Sequence, residues 1–325
     1  MSKPILDTDK NLPKLAELIE QNASKDIPPE AAWIWGDDDE IGRINLLSPE
    51  RVKLATKEIV SGKTVPLNWD MTKPAVPSFG RQPLELSLHK HPIYPVYDDH
   101  FNMNPQSGSQ FDGFRHFAYV SRQIFYNNLK LEEVETTSRC GIQAIAQHGI
   151  AGRGVLLDFV AYAKDNSIDY DPMSAFEITL NHIKGMIARQ KLELHYGDIL
   201  LVNAGWIEKY ETLYKQDPSL VVGVEMPSAI GLQPSDELRD FLHDTYVSVV
   251  GADTPSFERS PLDPSQHLLH EYLLTCWGVL IGEMLDTRAL AEECKKTGKY
   301  SFFFTSAPFN SPGGVSTLAN AMAIL

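Results

Sequence analysis

The chain has 325 residues, 43% of them hydrophobic and 22% charged, which suits a soluble globular protein with one large core. Its formal net charge of -14 argues against nonspecific nucleic-acid binding, which needs basic patches to meet phosphates. The best apolar run, Leu273 to Gly282, is too short to span a bilayer, so no membrane partner is expected.

Cys140, Cys276 and Cys294 lie far apart. They form neither a disulfide framework nor a CxxC pair, and a reducing, cytoplasmic location is expected. The N-terminus is too charged for a secretory signal.

In chain order, residues 1–30 read as an N-terminal extension. Leu12, Leu15, Leu18 and Ile19 have helical spacing, and Asp26-Ile-Pro-Pro breaks it. Residues 31–325 read as a single domain, entered through Trp33 and Trp35. Asp37 to Glu40 could hold a metal, but consecutive side chains diverge, which favours a turn. Ser48 caps a helix expected over 49–59, with Pro49 at its first position. Strands are expected at 64–69 and 84–89. A helix over 140–148 precedes a buried strand over 154–159. A helix over 176–190 precedes a strand over 198–203 that ends at the Gly205-Trp206 turn. Ser235 caps the next helix, 247–250 returns as a strand, and Asp286 caps a helix over 287–296. The last clear strand is 301–305. Strands mixed with helices give an α/β or α+β fold.

The richest stretch is Gln106 to His116. Gln106, Gln110, Asp112 and His116 stand an even number of residues apart. In an extended segment they share one face, and Gly108 and Gly113 let the backbone bend. A hydrogen-bonded turn is the plainer alternative. His100, beside Asp98 and Asp99, is a candidate for the pocket wall. Phe111, Phe114, Phe117, Tyr119 and Trp206 are either an aromatic wall or core. Arg115 should face away and pair with a carboxylate. Asp253 should cap the Thr254-Pro255 turn. Ser109 lacks a G-x-S-x-G frame, and nothing specifies a triad with His116 and Asp112.

The stretch Gln106-Ser-Gly108-Ser109-Gln110-Phe-Asp112-Gly-Phe114-Arg-His116 resembles the signature of the cyclase family, the group containing bacterial kynurenine formamidases and isatin hydrolases. That signature is His-x-Gly-Thr-His-x-Asp-x-Pro-x-His. Gly108, Asp112 and His116 match, while Gln replaces the first two histidines and Phe114 the Pro. Further blocks agree in order: Trp35 to Pro49, Gly152 to Asp158, Gly197 to Trp206, Gly251-Ala-Asp253-Thr-Pro-Ser256, His270-x-x-Leu-Leu with Gly278 and Glu283, and Pro308 to Leu325. The resemblance covers roughly residues 30 to 325.

It implies a cyclase-type swivelling β/β/α fold, a mixed sheet with flanking helices, and a homo-oligomer, dimer or tetramer. It also implies hydrolysis of a C–N bond in a small amide, formamide or cyclic imide by metal-activated water. The alternatives are a metal-free hydrolase or lyase with a His base, and a non-catalytic small-molecule binder. In two-metal members the two missing histidines and the Asp hold one ion. The Asp, the third His and a distal His and Glu hold the other. Carried over, Gln106, Gln110 and Asp112 make a poor first site, because amides replace imidazoles. The expectation is that Gln106 and Gln110 contact the substrate, along with His100, Phe111 and Trp206. Asp112, His116, His270 and Glu283 keep the second set, suited to one Zn or Mn, although a metal-free site is possible. His116, His270 and Glu283 are the expected catalytic groups. His267 is the competing register for His270.

Overall fold

The computed structural model describes residue 9 and residues 11–221, 228–263 and 268–325. Strands are β1 (Thr64–Pro66), β2 (Glu85–Lys90), β3 (Tyr97–Asn102), β4 (Gln110–Asp112), β5 (Ile150–Asp158), β6 (Glu177–Ile178), β7 (Ile199–Asn203), β8 (Gly231–Leu232), β9 (Val249–Ala252), β10 (Leu280–Glu283), β11 (Ser301–Ser306), β12 (Ser316–Leu318) and β13 (Ala321–Ile324). Nine form one sheet in the order β1-β13-β11-β5-β7-β9-β10-β4-β12. β5, β7, β9 and β10 run parallel in its middle. Val155–Leu157, Ile199–Val202, Val249–Val250 and Leu280–Ile281 are fully buried. Such unbroken apolar runs are what a sheet covered on both faces requires.

β12 and β13 stand near opposite ends of the strand order, yet only Ala319 and Asn320 separate them. Two residues reach well under about 12 Å, so the sheet curls until its ends approach. Asp286 N donates to Leu67 O and Trp69 N to Ser109 Oγ across this closure. The fold is thus mixed α/β, a large curled sheet flanked by helices.

Several local expectations hold. Ser48 Oγ accepts from Arg51 N and Ser235 Oγ from Leu238 N, starting the helices Pro49–Ala55 and Asp236–Asp244. The first helix stops at Ala55, and a 3-10 turn carries it to Glu58. The expected helix over 176–190 splits. Its start pairs as β6 with β8, and Thr179 caps a shorter helix, Leu180–Arg189.

Asp253 corrects the sequence reading. Its carboxylate accepts from Ala204 N at 2.6 Å and Gly205 N at 2.9 Å, so it ties β9 to the turn after β7. Asp37 to Glu40 is a turn: Asp39 accepts from Gly42 N, Asn45 and Tyr126, and Glu40 from Cys140 N.

His243 lies fully buried beside Trp277 and Tyr246, its ring 5.2 Å from each. Burial pushes its pKa down to about 4, against the pull of Asp244. A depressed folded pKa means that stability present above the unfolded value is lost as pH falls. The loss through His243 alone is on the order of 3 kcal/mol between about pH 6.5 and 4. His243→Phe should therefore lose markedly less stability than the wild type over that interval in scanning calorimetry. Parallel curves for the two proteins would refute this.

Candidate functional site

β4 is three residues long and sits between β10 and β12. Gln110 and Asp112 share one face. Phe111 points to the other, against Gly282, where a Cβ would meet its ring at 2.8 Å. Phe111 is therefore core and not a substrate wall. Alternation ends at Gly113. Its N–H donates to Val315 O, and His116 N donates back to Gly113 O, so a turn delivers His116 to the site. Glu283, the last residue of β10, lies opposite Gln110 in register. His270 opens a π-helical turn, Glu271–Cys276, a distortion frequent at functional sites.

These side chains converge. One ligand atom from each of Asp112, His116 and His270 lies within 4.8 Å of the others. His270 Nε2 is 3.4 Å from Glu283 Oε1, and His116 Nε2 is 3.7 Å from Asp112 Oδ2. Gln106 Nε2 donates to Asp112 Oδ1 at 2.7 Å and lies 3.1 Å from His116 Nδ1. Gln110 Nε2 donates to Asp112 Oδ1 at 3.1 Å and to Glu283 Oε2 at 2.8 Å. The two amides are thus spent on carboxylates. Gln110 is fully buried, as Asp112 is, with its Nε2 taken by the two carboxylates. Gln106 alone of the pair lines a cavity of about 630 Å³.

Glu258 was not legible in the sequence. It is fully buried, with Oε1 3.0 Å from His270 Nδ1 and Oε2 accepting from His270 N at 3.2 Å. A carboxylate on the far ring nitrogen fixes the tautomer and aims the near one. His270 Nε2 is left facing Glu283.

The charges explain the proton affinities. Burial lowers the pKa of His116; Asp112 opposes this, while His270 and Arg81 add to it. Burial also works against charging His270, but Glu258 and Glu283 outweigh it and raise its pKa well above normal. Burial, then the Asp112 charge, lifts Glu283 to about 7. Raised values on both members of the His270–Glu283 pair signal buried carboxylates short of positive charge. Asp112 Oδ2 and Gln110 Oε1 are buried oxygens without a hydrogen-bond donor. A divalent cation held by Asp112, His116 and His270 would meet both deficits, so the donor set fits such an ion.

Other expected residues fall elsewhere. His100 stands on β3, stacked on His89 at 4.2 Å, and the hairpin β2–β3 carries it into solvent. Trp206 is buried at the start of the helix Trp206–Gln216, edge-on to Trp69. It lines a separate cavity of about 270 Å³ with Tyr210 and Pro74. Phe114 packs on Tyr126 in the core. Phe117 does reach the site, its ring 5.4 Å from His270. Arg115 donates to the carbonyls of Thr137 and Val134 and makes no ion pair among the described residues. Ser109 Oγ donates to Met284 O and accepts from Trp69 N, so it is structural. His267 lies outside the described residues.

The sequence model of a family described as "Putative cyclase" matches residues 55–259. Among solved structures, one described as a novel cyclase is 28% identical with a TM-score of 0.79, covering 90% of this chain and 98% of its own. Isatin hydrolase A from Labrenzia aggregata is 15% identical with a TM-score of 0.59, covering 83% and 95%. Isatin hydrolase A from Ralstonia solanacearum is 17% identical with a TM-score of 0.56, covering 86% and 96%. No curated protein matches.

Proposed function

This chain belongs to the putative cyclase family, and from that premise we propose that it hydrolyses a C–N bond in a small amide, formamide or cyclic imide with one bound divalent ion, Zn or Mn. The single observation that carries this reading is the convergence of Asp112, His116 and His270 within 4.8 Å, with Asp112 Oδ2 lacking a hydrogen-bond donor. When bound, the ion supplies Lewis acidity to polarise a carbonyl and acidify water.

The side chains have distinct tasks in this reading. Asp112, His116 and His270 hold the ion, with Glu283 beside them. Glu258 keeps His270 in one tautomer. Glu283, beside the donors and opposite His270 Nε2, is placed to take and return a proton. Gln106 and Gln110 hold Asp112 and Glu283 in place. The test is metal content together with turnover across amide, formamide and imide panels. Turnover of none of these would overturn the reaction class.

A metal-free reading is favoured by one observation. The Gln106 and Gln110 amides and an imidazolium at His270 already offset part of the carboxylate charge. His116, kept neutral by burial, would then be the base. Full activity after exhaustive chelation would select it.

The cytoplasmic assignment is supported by three buried, unpaired thiols, Cys140, Cys276 and Cys294. No helix among the described residues is long and apolar enough to cross a membrane. The homo-oligomer is supported by the hairpin β2–β3, whose strands, among the described residues, pair only with each other and are exposed at every position. It shows Leu86, Leu88, Ile93, Tyr94, Tyr97 and Phe101 to solvent, an apolar arm of the kind that marks an interface. Light scattering should report more than one chain per particle, and replacing residues 86–101 with a short turn should yield monomers. A monomeric wild type would refute the arm's role.

A further inference from the structure

We infer that Arg81 is the anchor for a carboxylate on the substrate, and that the cavity beside Gln106 takes an anionic molecule with an apolar or aromatic body. This rests on the site proposed above and names what that site accepts.

Arg81 and Gln106 line the same cavity of about 630 Å³, with Phe79, Met103 and Phe309 on its walls. Arg81 Nη1 donates to Gln106 O at 2.9 Å, which fixes the guanidinium against the residue that holds Asp112. Beneath it, the Phe79 ring lies 5.0 Å from Arg81 Cζ. No ion pair of Arg81 occurs among the described residues. A guanidinium clamped by one backbone carbonyl and one ring still offers most of its five N–H donors. A planar fork of this kind matches a carboxylate in two-point contact.

The backbone supports the same reading. Phe79 has φ +62° and Gly80 φ +64°. A left-handed phenylalanine is uncommon, and strain of this kind persists where the surroundings over-determine it. Here the turn presents the Phe79 ring and the Arg81 guanidinium to one cavity. Phe79 and Phe309 are 40% and 44% exposed, leaving aromatic faces for an apolar body.

The test uses benzoate and benzamide as probes, titrated calorimetrically at pH 7 into the protein as purified. Benzoate should bind about tenfold more tightly than benzamide. Arg81→Gln should erase that preference, and Arg81→Lys should keep part of it, because the charge remains but the fork is lost. Unchanged thermal midpoints for both variants would show an intact fold. Equal binding of the two probes, no benzoate binding up to its solubility limit, or a preference that survives Arg81→Gln would overturn the assignment. The readout is binding, so a failure of C–N hydrolysis does not affect it. Hydrolysis of uncharged amides with Arg81→Gln fully active would overturn Arg81's role and leave the reaction class standing.

Discussion

His116→Ala and His270→Ala are each expected to strip the protein of its divalent ion and to lower kcat/KM by roughly a hundredfold or more. Each variant removes one of three converging donors. The remaining two hold an ion poorly, and Asp112 Oδ2 stays buried without a hydrogen-bond donor. The reductions should be similar for the two residues, since both occupy one donor set. Elemental analysis alongside kinetics checks this. Either variant retaining a full complement of ion and activity would remove that histidine from the set. Fold integrity is the control, and His116 is the cleaner case. Its side chain is 21% exposed, against 6% for His270, so truncation opens little cavity.

Glu258→Gln should cost about 10–100-fold in metal affinity or kcat/KM, the range for groups that orient a ligand from behind. Glu258 is a positioning residue. It accepts from the His270 backbone and holds its Nδ1, and it does not reach the other donors. The amide can still accept from Nδ1–H, so the ring keeps its direction, while the negative charge that makes the ring a stronger ligand is gone. Glu258→Ala should lose more, and should lose stability as well, because a buried N–H is left unpaired. The discriminating readout is the metal dissociation constant of Glu258→Gln against Glu258→Ala. Equal constants in both variants and the wild type would make Glu258 purely structural.

What the sequence revealed and what it hid follow from how local each feature is. Ser48 and Ser235 were legible as caps because capping is settled within three residues. Gln110 and Asp112 shared a face because a strand alternates, and that same rule sends Phe111 into the core. Alternation also stopped at Gly113, so His116 arrives by a turn that periodicity does not describe. His100 is only a few residues from Gln106 in sequence, but a hairpin that forms its own two-stranded sheet carries it away. Glu258 and Arg81 carried no local signal. Glu258 meets His270 across a 12-residue gap and Arg81 meets Gln106 across 25, and neither spacing belongs to a repeating element. The resemblance placed Asp112, His116, His270 and Glu283 as one set. The substitution of both leading histidines by Gln did not reveal that the amides would turn inward to the carboxylates.

The most direct test of the account is the metal content of the wild-type protein, purified without added ions and without chelators. The account predicts about one divalent ion per chain, held by Asp112, His116 and His270, and loss of turnover when it is removed, with recovery on adding Zn or Mn. Protein that carries no ion and whose turnover is unchanged by chelation would contradict it.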